Sequence, residues 1–106
     1  MVNEAVIQRL ANNVEGYVTQ LRNASDIDHA KFMTDIRSQR FVERTLQIAV
    51  EAVLDIAHHI IGDQGYREPE NYADAFVVLA ENGVIPSDMA ERGRLMAQFR
   101  NKVVHY

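Results

Sequence analysis

Arg100, Asn101 and His105 fall within the seven residues RNKVVHY that end this 106-residue sequence. Together they offer a guanidinium, a carboxamide and an imidazole. A guanidinium binds a phosphate in two-pronged fashion and stabilises charge that grows on it. An imidazole titrates near neutrality and can take or give a proton, and a carboxamide can orient either partner. In a helix each residue turns the side chain by about 100°, so Asn101 and His105, four apart, share a face. Arg100 sits beside them with a side chain long enough to swing to the same spot. These are the groups needed to break a ribose phosphodiester without a metal. One histidine cannot serve as base and acid at once, whereas two copies of the chain meeting at a two-fold axis would supply two. The same residues also suit an ordinary helix end, where the dipole favours Arg and His in the last turn.

A second set of polar residues, Arg44, Glu51, Asp55 and His58, follows at steps of seven, four and three through an apolar segment. Charges in such surroundings normally have partners, so one reading is an internal network that fixes register, within the chain or between two subunits. The other is that Glu51 or Asp55 faces the cleft and orients Arg100 or His105. Asp55-x-x-His58 echoes the carboxylate-x-x-histidine step of di-iron bundles, but that architecture needs a second such step and two further glutamates. The sequence offers no second copy, nor a phosphate-cradling glycine loop, nucleophile elbow or zinc signature. No metal or cofactor is therefore expected.

The elements that must position these groups read as helices. From about Asn3 to Arg22, Val6, Ile7, Leu10, Val14, Tyr17, Val18 and Leu21 form one apolar stripe. Ser25, with Asp28 three residues on, predicts the cap of a short helix running toward Met33. The longest pattern runs from about Thr34 to Ile61 and is stopped by Gly62 and Gly65. Its second half, Leu46 to Ile61, is apolar nearly all round, more than a small monomeric bundle can cover, which predicts a partner subunit. After a loop over 63–71, Asn71 caps a helix through Tyr72, Ala75, Phe76 and Leu79 that closes at Gly83. Ser87 is the third capping candidate, opening a last helix through Met89, Met96, Phe99 and Val103, with both methionines read as core. No strand signal or repeat occurs. The expectation is a single all-α domain, residues 1–106: an up-and-down bundle of four main helices plus a short one, dimerising through the long central helix and the C-terminal helix.

Composition narrows the function classes. Without cysteine there is no disulfide, thiolate metal site or cysteine nucleophile. The start MVNEAVIQRL lacks a basic region leading into an apolar run, and no apolar run is long enough to span a bilayer, so a cytoplasmic protein with no membrane role is expected. The net charge of −4 argues against a nonspecific nucleic-acid coat. Charge is unevenly placed, however. Residues 1–88 carry seven Lys/Arg against fourteen Asp/Glu, whereas residues 89–106 carry four basic residues against Glu91 alone. The C-terminal segment is where a phosphate would be welcome.

The segment FRNKVVHY resembles the R-x-x-x-x-H motif of the HEPN superfamily and, more narrowly, its HepT-like branch, whose text is close to F-R-N-x-x-V-H-x-Y. RSQRFVERTLQIAVEAVLDIAHHII resembles that branch's central helix, and YREPENYADAFVVLAENGVIPSDMAERGRLMAQFRNKVVHY its second half, so the likeness covers most of the chain from Asp35 on. The resemblance implies an all-α homodimer that is the ribonuclease toxin of a type VII-like toxin–antitoxin pair, cutting RNA without metal at a cleft between subunits. It implies a minimal nucleotidyltransferase as antitoxin, able to silence the toxin by attaching adenylate to the tyrosine of H-x-Y. Carried over, Arg100 and His105 are the catalytic pair and Asn101 a helper. Tyr106 departs from the pattern: it follows His105 directly, at the variable position, and is a poor acceptor. The competing expectation is a non-catalytic subunit that binds a nucleotide or RNA for the nucleotidyltransferase.

Overall fold

The structure, a computed structural model, describes the backbone of residues 3–105 and the side chains of residues 3–103. Five α-helices follow one another: α1 (Glu4–Asn23), α2 (His29–Thr34), α3 (Ile36–Gln64), α4 (Tyr72–Glu81) and α5 (Ser87–His105). None is long and apolar enough to cross a membrane.

Each helix end has a local cause. Asn3 caps α1 by accepting from the Val6 N–H at 3.3 Å. The cap of α2 is Asp28, whose carboxylate accepts from the Lys31 N–H at 2.8 Å, rather than Ser25. Residues 24–27 are spent on a turn closed by the Ile27 N–H on the Ala24 carbonyl, which moves the start three residues on. Asp35, extended at φ −107° and ψ 110°, ends α2 and opens α3, so the two helices are separate. Its carboxylate accepts from the buried Ser38 hydroxyl at 2.6 Å, a bond that holds it below the usual carboxylate range.

Helix α3 has 29 residues, about 43 Å at 1.5 Å each, and is the spine of the molecule. It stops at Gly65, which takes the left-handed conformation at φ 68°, while Gly62 lies inside the helix. The end of α4 is a Schellman motif: Val84 N–H bonds the Leu79 carbonyl, Gly83 N–H bonds that of Ala80, and Gly83 has φ 72°. The last helix begins at Ser87 itself.

Two buried stripes of α3 receive the other helices. Ser38, Thr45, Ala49 and Ala52 follow heptad-like spacing along one, and Val50, Leu54, Ala57 and Ile61 along the other. Helix α1 runs against α3, and α4 and α5 pair as a hairpin that leans on α3. One core cluster joins Ala57 and Ile61 to Ala75, Val78 and Leu79. A second joins Val50 and Leu54 to Phe76, with Tyr72, Met96 and Phe99 packed on it. Met96 is thus core, whereas Met89 is exposed.

The bundle is open. Among the described residues α1 packs on α3 and touches neither α4 nor α5. Its apolar stripe is accordingly only half-buried, with no residue of α1 fully covered. In the all-apolar half of α3, Ala49, Val50, Ala52, Leu54, Ala57 and Ile61 are buried, but Leu46, Ile48, Val53, Ile56 and Ile60 remain half-buried.

Candidate functional site

The loop between α3 and α4 is clamped by Arg67. Its guanidinium donates from Nη1 and Nη2 to the two oxygens of Asp74, at 2.7 and 2.9 Å, and from Nη2 and Nε to those of Glu81, at 2.9 and 3.0 Å. The two carboxylates lie seven apart on one face of α4, so a single side chain holds both ends of that face. Asp74 also accepts from the Glu70 N–H at 3.0 Å, while its own N–H is taken by the capping Asn71 at 2.8 Å. These bonds fix where α4 starts, and its first residue is Tyr72.

The Arg67 bonds, with the Glu70 N–H, bring the Asp74 carboxyl from its ordinary 3.8 down to about 2, and Arg67 lowers Glu81 as well. A depressed carboxylate pKa contributes stability that is present above the unfolded value and is lost as pH falls through the folded one. The expected result is that Arg67→Ala is less stable than the parent at neutral pH and that the difference shrinks between about pH 4 and pH 2. Urea midpoints measured across that range check this; a constant difference down to pH 2 would contradict it.

Tyr72, so placed, meets α5. The Arg100 guanidinium carbon lies 4.7 Å from the centre of the Tyr72 ring, within the range of a cation–π contact. Arg100 Nε lies 3.7 Å from Glu51 Oε1 on α3, an ion pair longer than a hydrogen bond. Glu51 is itself held by Gln47 one turn earlier, whose Nε2 donates to it at 3.2 Å. Arg100 Nη1 donates to Asn101 Oδ1 at 3.4 Å, a weak bond between neighbours. The result is a half-buried guanidinium, its side chain 21 % exposed, oriented by a ring from α4 and a carboxylate from α3. Among the described residues its Nη2 has no hydrogen-bond partner.

This guanidinium lines an open cavity of about 210 Å³ with Glu51, Leu54, Asp55, His58 and Tyr72. A second cavity of about 430 Å³ shares His58 and Tyr72 with it and reaches Pro69, Asn71, Gln98 and Asn101. His58 meets the Tyr72 ring edge-on, centres 6.0 Å apart at 78°.

Of the site residues expected from sequence, the structure brings Arg100, Glu51 and Asp55 to one cavity and puts Asn101 on the adjoining one. Within one chain Arg44, Asp55 and His58 are exposed and Glu51 is half-buried, and of this stripe Glu51, Asp55 and His58 line the smaller cavity. Helix α5 extends through His105, but that side chain lies outside the described residues, as does Tyr106. Among the described residues no three His, Asp or Glu side chains gather as a metal would require. Tyr72 was legible only as a core position of α4. Nothing local in the sequence ties it to an arginine on another helix.

Comparison with known proteins agrees with this architecture. A family model described as "Ribonuclease HepT-like" matches residues 14–106. The chain is similar to an mRNA nuclease HepT of Shewanella oneidensis, 29 % identical over 104 residues, 98 % of this chain and 77 % of the relative. It is also similar to a tRNA nuclease HepT of Aphanizomenon flos-aquae, 21 % identical over 104 residues, 98 % of this chain and 71 % of the relative. Among solved structures, one described as a crystal structure of a toxin–antitoxin with AMP-PNP superposes with a TM-score of 0.88 at 27 % identity, covering 96 % of this chain and 76 % of that one. The family match takes in the whole length of α3, α4 and α5 and thus every element that builds the Arg100 cavity. The chain belongs to the HepT-like ribonuclease family of the HEPN superfamily.

Proposed function

We propose that this protein is a metal-independent endoribonuclease, the toxin of a toxin–antitoxin pair, that cuts RNA at a cleft formed where two copies of the chain meet. The observation that carries the reading is the Arg100 guanidinium, stacked 4.7 Å from Tyr72 and paired at 3.7 Å with Glu51, on the wall of an open cavity at the basic end of an acidic chain. Arg100 holds the scissile phosphate and stabilises the charge that grows on its oxygens. The ribose 2′-hydroxyl attacks phosphorus, the bond from phosphorus to the 5′-oxygen breaks, and His105 moves the proton of the attacking hydroxyl or of the leaving oxygen. Asn101, bonded to Arg100, helps to orient it. Glu51 fixes the guanidinium, and Asp55 supports the same cavity.

The dimer in this reading covers the half-buried apolar residues of α3 through the long central helix and the C-terminal helix, and it supplies the second histidine. The relatives support the substrate class, being named for mRNA and tRNA cleavage, and the solved structure supports pairing with an antitoxin. For that antitoxin we propose a minimal nucleotidyltransferase. The alternative reading is a non-catalytic subunit in which the same residues hold a nucleotide or RNA end; the Glu51 carboxylate, which offsets part of the Arg100 charge, favours it.

The two readings separate on an RNA carrying a single 2′-deoxy nucleotide. Once a cleavage site has been mapped on an all-ribose RNA, removing the 2′-hydroxyl 5′ to that site abolishes the cut, and the all-ribose product ends in a cyclic phosphate. Binding of all-ribose RNA with no cleavage at any site would establish the subunit instead.

A further inference from the structure

The two cavities that meet at Tyr72 differ in chemistry. The smaller carries Arg100, Glu51 and Asp55. The larger, about 430 Å³, has no Lys, Arg, Asp or Glu in its lining. It presents the rings of Tyr72, His58 and Pro69 and the carboxamides of Asn71, Gln98 and Asn101. Its size lies within the range of small-molecule sites, about 300–1,000 Å³.

A phosphate finds no Lys or Arg to neutralise it in the larger cavity, whereas a flat neutral heterocycle finds rings to lie against and amides for its edge. The amides are partly committed in a way that fixes their polarity. Asn71 Oδ1 accepts from the Asp74 N–H at 2.8 Å, and Asn101 Oδ1 accepts from Arg100 Nη1 at 3.4 Å. Each therefore keeps its NH₂ group for a ligand acceptor, while Gln98 can donate or accept. His58 and Tyr72 line both cavities, so a group in one is within a nucleotide's reach of a group in the other.

We propose that the larger cavity is a nucleobase subsite, which holds the base of the nucleotide whose phosphate sits on Arg100. The inference deepens the ribonuclease reading and rests on it for the phosphate position. Base–ring stacking and amide hydrogen bonds then add affinity that a baseless sugar phosphate lacks.

Calorimetric titration of the full chain with the four nucleoside 5′-monophosphates and with ribose 5-phosphate tests this. The best-bound nucleotide is expected to bind about tenfold or more tightly than ribose 5-phosphate. Gln98→Ala narrows that difference, and Ala73→Leu, at a residue of α4 that also lines the larger cavity, fills it and removes the difference, both leaving ribose 5-phosphate affinity unchanged. Equal affinity for nucleotides and ribose 5-phosphate, no nucleotide binding at all, or a preference unmoved by both variants would overturn the subsite. Base preference without any RNA cleavage would uphold the subsite and sink the ribonuclease; cleavage with no contribution from the base would do the reverse.

Discussion

Arg100→Ala is expected to lower the rate of RNA cleavage by about 10²–10³-fold, the usual effect of removing one group aimed at charge that develops in a transition state. The guanidinium is held in place before substrate arrives, by Tyr72 on its face and Glu51 at its Nε, so little reorganisation remains for the reaction step. The loss should therefore fall mainly on kcat rather than on KM. Arg100→Lys should recover little, because an ammonium can neither stack as a plane on Tyr72 nor present two parallel N–H groups to a phosphate. Rapid-quench rates with saturating RNA check both variants, alongside their melting temperatures. Full recovery by lysine would show that charge alone suffices and that the Tyr72 contact has no part in cleavage.

Gly93→Ala is expected to destabilise the fold, although alanine is the better helix former. Gly93 is buried in α5, and a Cβ placed there would overlap the Cγ end of the Phe76 ring, itself only 5 % exposed and packed on Val50 and Leu54. The gain in helix propensity is roughly 0.5–1 kcal/mol, and the cost of overpacking is about 1–3 kcal/mol. Because a rigid ring between helices has little room to move, overpacking should win and lower Tm by several degrees, at about 4–8 °C per kcal/mol for a domain of this size. Gly62→Ala gives the control of opposite sign: it lies inside α3, exposed, with nothing within 4 Å of its Cβ, and should raise Tm slightly. Phe76→Leu combined with Gly93→Ala should be less destabilised than the sum of the two single changes. Phe76 lies one turn after Tyr72 on α4, so Gly93→Ala should also slow cleavage by disturbing the ring beneath Arg100. A Gly93→Ala protein as stable as the parent would show that the α4–α5 interface can open, contrary to the packing described.

The parts of the molecule written into short stretches of sequence were legible there. Asn71 with Asp74, Gly65 and Gly83 each act through a bond or a dihedral within a few residues, and each marks its helix end as spacing suggests. Ser25 and Gly62 show the limit of the same reasoning. Either residue could have served, but a turn at residues 24–27 passed the cap to Asp28, and continued packing of α3 carried the helix on to Gly65. That Arg100 and Asn101, and Glu51 and Asp55, lie on helices at positions facing the cavities was visible from their spacing, which is local. The place of Tyr72 was not: its ring reaches Arg100 because Arg67, Asp74 and Glu81 fix the start of α4 while Gly93 lets α5 approach Phe76. Those are agreements between distant segments, and periodicity carries no trace of them. The open arrangement of α1 was likewise hidden, since an apolar stripe records that a face is to be covered and not by which helix.

Metal-independent cleavage that depends on His105 is checked by exposing a mixed transfer RNA and messenger RNA pool to the purified protein in excess chelator, with His105→Ala prepared identically alongside. Full-length RNA is expected to disappear with the parent protein and to persist with the variant. Equal cleavage by both proteins, or cleavage by the parent only after a divalent ion is restored, would contradict this.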